Sequence, residues 1–120
     1  MIDCLAIALL ALMVQSEAAT EPYEGKLAVA YVAMNRATQS GQEVITVLQQ
    51  RRQFALNPRA RITGDSWLAA QTAFHHWVPD PTHGADHFYN PLVKPWPEWY
   101  DEQYMTARIG HHTFLNLGGF

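Results

Sequence analysis

The chain has 120 residues, is 48% hydrophobic and carries a formal net charge of −3 at neutral pH. A chain of this length forms one small domain, and we expect a single monomeric domain over residues 1–120 with one modest core. Because the chain is acidic and has no basic stripe, nucleic acid and anionic membrane surfaces are poor partners. The single cysteine excludes an internal disulfide.

The first predicted element is a buried helix that begins after Asp3, its N-cap, and ends near Ser16. The run Cys4–Val14 is apolar on nearly every side, which is typical of a helix covered by other elements, and we place its cysteine in the core. The run is shorter than the roughly 20 residues of a membrane span, so we expect no stable membrane insertion. A signal peptide would start with a basic segment, but the first basic residue is Lys26. The alternative of a signal peptide cleaved at Ala18–Ala19 stays open.

Three more helices and a strand are expected downstream. Pro22 disfavours helical geometry at Glu21 and suits the first turn of a new helix. Asp65 or Ser66 can cap the last helix. The stretch 79–100 is rich in proline, glycine and aromatic residues, which indicates irregular loop with short strands at most. The remaining predicted elements are helices over 22–37, 43–50 and 66–78, loops over 38–42 and 51–64, and a strand or hairpin arm over His112–Leu115. The predicted fold class is therefore α+β and mainly helical.

Two glutamates, Glu17 and Glu21, stand on either side of the end of the first helix. Glu17 falls in the last turn, where the helix dipole and the apolar neighbours Met13 and Val14 disfavour the carboxylate and raise its pKa. Glu21 lies at the start of the second helix, where the dipole favours the ionised form. One carboxyl held as an acid and one held as a base is the pattern that acid catalysis on a glycosidic oxygen requires. The alternative is that both are solvated helix ends.

Histidines and aromatic residues suggest two other kinds of site. His83 and His87 are four residues apart, and together with His112 they form the alternative hypothesis of a zinc site. Gly84 places His83 in a loop, and the chain has no H-E-x-x-H motif, so we expect no metal. Flat aromatic rings near amide and hydroxyl groups suit the faces and edges of sugars, although core filling is the alternative. The aromatic residues in question are Tyr89, Trp96, Trp99, Tyr100 and Tyr104.

Four motif blocks stand in order along the chain. They are E-A-x-x-E-P-Y-E-G-K-x-A-V-A-x-V-x-x-N-R from Glu17 to Arg36, Gln53–Phe54, D-P-T-x-G-A-x-x-F-Y-N-P from Asp80 to Pro91, and I-G-x-H-x-F from Ile109 to Phe114. Together they resemble the catalytic domain of the SleB-like cell wall hydrolases, the spore-cortex-lytic enzymes. The resemblance covers nearly the whole chain.

The resemblance implies a compact domain similar to lysozyme and the lytic transglycosylases. It also implies cleavage of peptidoglycan between N-acetylmuramic acid and N-acetylglucosamine, with Glu17 as the catalytic acid and no cofactor. Glu21 and Thr82 are candidate auxiliary residues. The candidates for substrate binding are Gln53, Phe54, Tyr89, Asn90 and His112.

A lytic transglycosylase is the favoured mechanism, because closure of a 1,6-anhydro ring needs only one carboxyl. A hydrolytic muramidase would use a second carboxylate, for which Glu21 and Glu24 are the candidates. Two further alternatives are a zinc-dependent wall amidase or peptidase and a non-catalytic glycan-binding virion protein. Arg36 is expected to brace the structure, with a carboxylate as its partner.

Two features depart from the family pattern. Thr20 stands where glycine is usual, which puts the turn between the first two helices in doubt. No secretion signal or wall-binding module is recognised, which favours a phage endolysin or a virion-associated enzyme. An endolysin would pass from the host cytoplasm to the periplasm and the cell wall.

Overall fold

The computed structural model describes residues 2–50 and 54–119, and the predicted substrate-binding residue Gln53 lies outside them. The elements are helices α1 (Ile2–Ala18), α2 (Tyr23–Ser40), α3 (Val44–Gln49) and α4 (Gly64–His75), strands β1 (His87–Tyr89), β2 (Met105–Ile109) and β3 (His112–Leu115), and a 3-10 turn over Glu102–Tyr104. The α+β, mainly helical prediction is confirmed, as are all four predicted helices.

Helix α2 is the centre of the molecule. Its residues from Gly25 to Ala33 are all buried, because α1, α3, α4 and the sheet pack around it. The core between these helices is lined by small and branched side chains, among them Leu10, Val14 and Val29. Small alanines along α2 let the neighbouring helices approach closely, and the branched residues fill the space that remains.

Helix α1 differs from the prediction at its first turn. Cys4 is exposed and Leu5 is 60% exposed, so the cysteine is not a core residue. The helix buries one face and leaves its first turn uncovered by any described element. Asp3 is not the N-cap, because the helix already begins at Ile2 and Asp3 lies in its first turn.

Helix α4 also begins earlier than its sequence indicates. Thr63, not Asp65 or Ser66, occupies the N-cap position. The Ser66 hydroxyl is buried and donates to Oε1 of Gln15 at 2.7 Å. That bond fixes α4 against α1, so tertiary contact decides where the helix starts. The helix ends at His75 rather than at residue 78, because His76 adopts a left-handed conformation with a φ of 54°.

The turn between α1 and α2 needs no glycine. Among the described non-glycine residues, positive φ occurs at His76 and His83, so Thr20 is unstrained. The buried Lys26 donates from Nζ to the carbonyls of Ala19 and Glu21. These two hydrogen bonds hold the turn that directly follows Glu17 in place.

The strands form one antiparallel sheet in the order β1-β3-β2. The central strand β3 buries Phe114 and Leu115 completely. The predicted strand at His112–Leu115 is confirmed as one arm of a hairpin with β2, and Gly110 in its turn has a φ of 58°. No helix among residues 2–50 and 54–119 is both long and apolar enough to cross a membrane.

Candidate active site

Glu17 lies in the last turn of α1 and is half-buried. Its Oε2 atom accepts a hydrogen bond from the backbone N–H of Ala55 at 3.3 Å. One residue earlier, the Ser16 hydroxyl accepts from the N–H of Asn57 at 2.9 Å. The segment 54–57 therefore lies along the end of α1 and covers one side of the carboxyl group.

The environment of Glu17 favours its protonated form. Burial raises the pKa of this carboxyl, and the Ala55 N–H and the positive charge of Arg36 offset only part of that effect. The raised pKa predicted from the sequence is confirmed in direction, although burial by the tertiary structure is its main cause. A carboxyl that stays protonated at higher pH can act as a general acid.

Arg36 connects Glu17 to the rest of the fold. Its Nε donates to the carbonyl of Asp86 at 2.7 Å, and its guanidinium carbon lies 4.5 Å from the centre of the Phe54 ring. Burial lowers the pKa of Arg36 to about 10, against the opposing charges of Asp86 and Glu17. The side chain therefore remains a cation at neutral pH.

Glu21, the candidate second carboxylate, is bonded to the β2–β3 turn. It is 5% exposed, and its Oε1 accepts from the backbone N–H of His111 at 2.8 Å while its Oε2 contacts Nδ1 of His111 at 2.6 Å. Burial alone would raise the pKa of Glu21, but the hydrogen bonds from His111 and the charges of both neighbouring histidines lower it. Both oxygens are thus used to attach the β2–β3 turn.

His112 also contacts Glu21 rather than an open cleft. Its Nδ1 lies 3.3 Å from Oε1 of Glu21 but is buried and makes no well-aligned hydrogen bond to any described residue. Burial lowers the pKa of His112 despite the opposing charge of Glu21. Its ring packs edge-on against Phe88. His112 was a candidate for sugar binding, and its position suits a contact that orients Glu21 better than a direct contact with a sugar.

Thr82 is fully buried and cannot contact a substrate. Its hydroxyl donates to Oδ1 of Asp80 at 2.7 Å and accepts from the N–H of Ala85. Oδ2 of the same aspartate accepts from Asn35 on α2 at 2.8 Å. The D-P-T-x-G-A block therefore folds a tight turn that fastens the loop to α2. Thr82 has a structural contact in this turn, and its auxiliary role in the site stays a prediction.

Tyr89 and Asn90 begin an aromatic segment on the surface, which covers residues 89–100. The Tyr89 hydroxyl donates to the Val93 carbonyl at 2.9 Å, and Oδ1 of Asn90 accepts from the Leu92 N–H. Both side chains are half-buried, and the Tyr89 ring packs against Trp99. This packing holds the partly exposed faces of Trp96 and Trp99 at the surface.

The three histidines of the zinc hypothesis have separate environments. His87 pairs with the neighbouring Asp86 at 2.9 Å, His83 is exposed, and His112 contacts Glu21. Within residues 2–50 and 54–119, no three His, Cys, Asp or Glu side chains are grouped so that they could hold a metal ion.

Comparison with known proteins identifies the family. The sequence profile of the cell wall hydrolase family matches residues 20–115, so the chain belongs to that family. Glu17 precedes the matched range, and its assignment therefore rests on other grounds. No curated protein matches the chain.

Two solved structures share this fold. The catalytic domain of the Bacillus cereus SleB protein is 28% identical with a TM-score of 0.76, over 92% of this chain and 89% of that chain. The catalytic domain of the germination-specific lytic transglycosylase SleB from Bacillus anthracis is 28% identical with a TM-score of 0.78, over 92% of this chain and 93% of that chain. The predicted lysozyme-like fold is thereby confirmed.

Three features of the site were missed by sequence reasoning. The hydrogen bond from Ala55 to Glu17 comes from the backbone, and a pattern of side chains does not indicate where a backbone N–H points. His111 occupies a variable position of its motif block, next to the histidine that was singled out. Arg36 was expected to brace the fold, but nothing in the sequence indicated that it stacks on Phe54.

Proposed function

We propose that the protein is a peptidoglycan-cleaving glycosidase of the lytic transglycosylase type, with Glu17 as its single catalytic acid and base. The observation that carries the proposal is the half-buried carboxyl of Glu17, whose pKa is raised by burial and which lies at the end of a rigid helix. Membership of the cell wall hydrolase family and the likeness to the SleB catalytic domains support the substrate class.

The hydrogen bond to Glu17 distinguishes its two oxygens. Because Oε2 accepts from the Ala55 N–H, Oε1 is the oxygen that we assign to proton transfer. In the first step Oε1 protonates the glycosidic oxygen, the bond to C1 of the muramoyl sugar breaks, and the bonding pair leaves with the N-acetylglucosamine oxygen. The positive charge that develops at C1 is spread over the ring oxygen.

The second step regenerates the acid. The Glu17 carboxylate removes the proton of the C6 hydroxyl of the muramoyl sugar, and the C6 oxygen forms a bond to C1. The products are a 1,6-anhydromuramoyl end and a free N-acetylglucosamine hydroxyl, and Glu17 is protonated again. Between the two steps the Ala55 N–H stabilises the carboxylate.

The position of Glu21 favours this route over hydrolysis. A hydrolytic enzyme of the two-carboxylate type needs a second carboxyl at about 5 to 9.5 Å, depending on its stereochemistry. Glu21 is buried and bonded to His111, and Glu24 is exposed in the first turn of α2. A transglycosylase needs neither residue, because the sugar supplies its own nucleophile.

The aromatic segment is the proposed sugar-binding surface. Trp96 and Trp99 are 43% and 38% exposed, and their rings are held by contacts with Tyr100. Partly exposed aromatic rings stack on pyranose rings and, because they have few rotatable bonds, lose little side-chain entropy on binding. Tyr89 and Asn90 shape this surface from its base.

The test is digestion of purified peptidoglycan by the wild type and by Glu17→Gln, with the soluble products analysed by mass spectrometry. We expect 1,6-anhydromuropeptides from the wild type and a loss of at least about 10³-fold in rate for the variant. Glu43→Gln is the matched control, because Glu43 is exposed at the start of α3 and its loss should leave the rate unchanged. Free stem peptides, or products that do not depend on Glu17, would refute the proposal.

A further inference from the structure

Arg36 holds an unusual position for a buried cation. Its side chain leaves α2 between the carbonyl of Asp86, to which Nε donates at 2.7 Å, and the ring of Phe54, whose centre lies 4.5 Å from the guanidinium carbon. The residue is 7% exposed. A guanidinium in this geometry combines a directed hydrogen bond with a cation–π contact, which a lysine ammonium cannot reproduce in the same way.

Phe54 is the neighbour of the residue that contacts Glu17. The Phe54–Ala55 peptide group carries the N–H that donates to Oε2 of Glu17 at 3.3 Å. Two residues further on, the N–H of Asn57 donates to the Ser16 hydroxyl. Stacking on Arg36 therefore fixes a peptide group whose orientation determines the hydrogen bond to the carboxyl.

The charge of Arg36 acts on Glu17 as well. Its guanidinium interacts electrostatically with the carboxylates of both Asp86 and Glu17. The carboxylate of Asp86 already accepts hydrogen bonds from the N–H groups of Leu117 and Gly119 and contacts the ring of His87. Arg36 and the Ala55 N–H are the groups whose interaction favours the charged form of Glu17 against burial.

We propose that Arg36 is a positioning residue for Glu17: by stacking on Phe54 it holds the Ala55 N–H against Oε2, and its positive charge stabilises the carboxylate that exists between the two proton transfers. The inference rests on the proposed function of Glu17. A carboxyl that acts first as acid and then as base must be stable in both forms. Burial supports the acid form, and the Arg36–Phe54 pair supports the base form.

The first test is the pH dependence of kcat/KM. The rate of an enzyme that needs protonated Glu17 falls as pH rises through the pKa of that residue. Removal of the positive charge in Arg36→Met destabilises the carboxylate, so this alkaline limb should move to higher pH. Arg36→Lys keeps the charge but not the stacked guanidinium, so it should move the limb less far than Arg36→Met does. Arg108→Met is the matched control: Arg108 is exposed and pairs with Glu102 at 3.6 Å on the surface, so its loss should not move the limb.

The second test does not depend on the folding of an Arg36 variant. Phe54→Leu keeps an apolar side chain but loses the cation–π contact, whereas Phe54→Tyr keeps the ring. We expect Phe54→Leu to lower kcat roughly tenfold with KM changed less than about threefold, and Phe54→Tyr, which keeps the cation–π contact, to lower kcat by less than about threefold. A role of Phe54 in packing alone would leave Phe54→Leu active, and a role in sugar binding would change KM instead.

The outcomes separate this inference from the function on which it rests. If Glu17→Gln retains activity, the assignment of the acid is wrong. If Glu17→Gln is inactive, but Arg36→Met keeps the wild-type alkaline limb and Phe54→Leu keeps wild-type kcat, the function stands and the positioning role of Arg36 is overturned. Should Arg36→Met fail to fold by circular dichroism, the Phe54 pair decides by itself.

Discussion

At the residue scale, Gly110 shows how closely the hairpin turn approaches Glu21. A Cβ atom at this position would lie 2.4 Å from Oε1 of Glu21, and the φ of 58° is unfavourable for any side chain. Gly110→Ala should therefore lower the free energy of unfolding by at least about 2 kcal/mol, since it combines backbone strain with a clash against a buried group.

The matched control for this prediction is Gly41→Ala. Gly41 has a similar φ of 67°, but no atom lies within 4 Å of the Cβ position. Its substitution reports the backbone strain alone, about 1 kcal/mol. Urea unfolding at neutral pH measures both variants. Equal losses of stability would show that the contact with Glu21 has no energetic consequence.

At the element scale, the buried carboxylate of Glu21 joins the β2–β3 turn to the α1–α2 junction. Its pKa is lowered from 4.5, so its ionised form stabilises the fold above that pH, and this stabilisation is lost as pH falls through the lowered value. Glu21→Gln keeps the shape but removes the charge. At pH 7 we expect the variant to be less stable by about 1–3 kcal/mol.

The difference in stability between Glu21→Gln and the wild type should shrink as the solution is acidified below pH 4.5, the ordinary value for this carboxyl. Urea unfolding at a series of pH values measures it. Glu24→Gln, three residues away and exposed, should show no such dependence. A constant difference between wild type and Glu21→Gln at all pH values would contradict the assigned role of the carboxylate.

At the scale of the whole molecule, Asp86 joins the sheet, the end of the chain and α2. Its carboxylate is fully buried and accepts from the N–H groups of Leu117 and Gly119 at 2.8 and 2.9 Å, and its carbonyl accepts from Arg36. Asp86→Asn replaces an acceptor with a donor that faces these N–H groups. We expect a loss of about 2–4 kcal/mol, because a buried network is left partly unsatisfied.

The same connection predicts cooperative unfolding of helices and sheet. Far-ultraviolet circular dichroism follows the helices, and fluorescence of Trp96 and Trp99, measured with Trp67→Phe and Trp77→Phe in all chains compared, follows the segment beside the sheet. The two transitions should coincide in the wild type and shift together in Asp86→Asn. Asp65→Asn, at an exposed site in the first turn of α4, should leave both unchanged. Separate transitions in the wild type would show that the sheet and helices are independent units.

The sequence was sufficient for the existence of the four helices, because their apolar residues indicate burial, but it was not sufficient for the first turn of α1 or for the ends of α4. It was also sufficient for the direction of the Glu17 pKa, since the last turn of a buried helix disfavours a carboxylate. The sequence did not predict the contacts of the Glu21 carboxylate, because its partners His111 and His112 come from the far end of the chain. Local dipole arguments cannot anticipate such contacts, and for the same reason Ser66 was misjudged as a helix cap.

Thr82 illustrates a second limit. A hydroxyl in a motif block can contact a substrate or close a turn, and only the fold distinguishes the two. The structure buries this hydroxyl between Asp80 and Ala85. The motif therefore indicated that Thr82 is important, but the residue types alone could not show that its hydroxyl closes a turn.

The central claim is that Glu17 donates one proton and then removes another, and that water takes no part in the reaction. The most direct measurement is digestion of peptidoglycan in water enriched in oxygen-18, with mass spectrometry of the muropeptides released at early times. We predict 1,6-anhydromuropeptides without label from the wild type, and no products from Glu17→Gln. Reducing ends that carry oxygen-18 would contradict the claim, because they require water as the nucleophile.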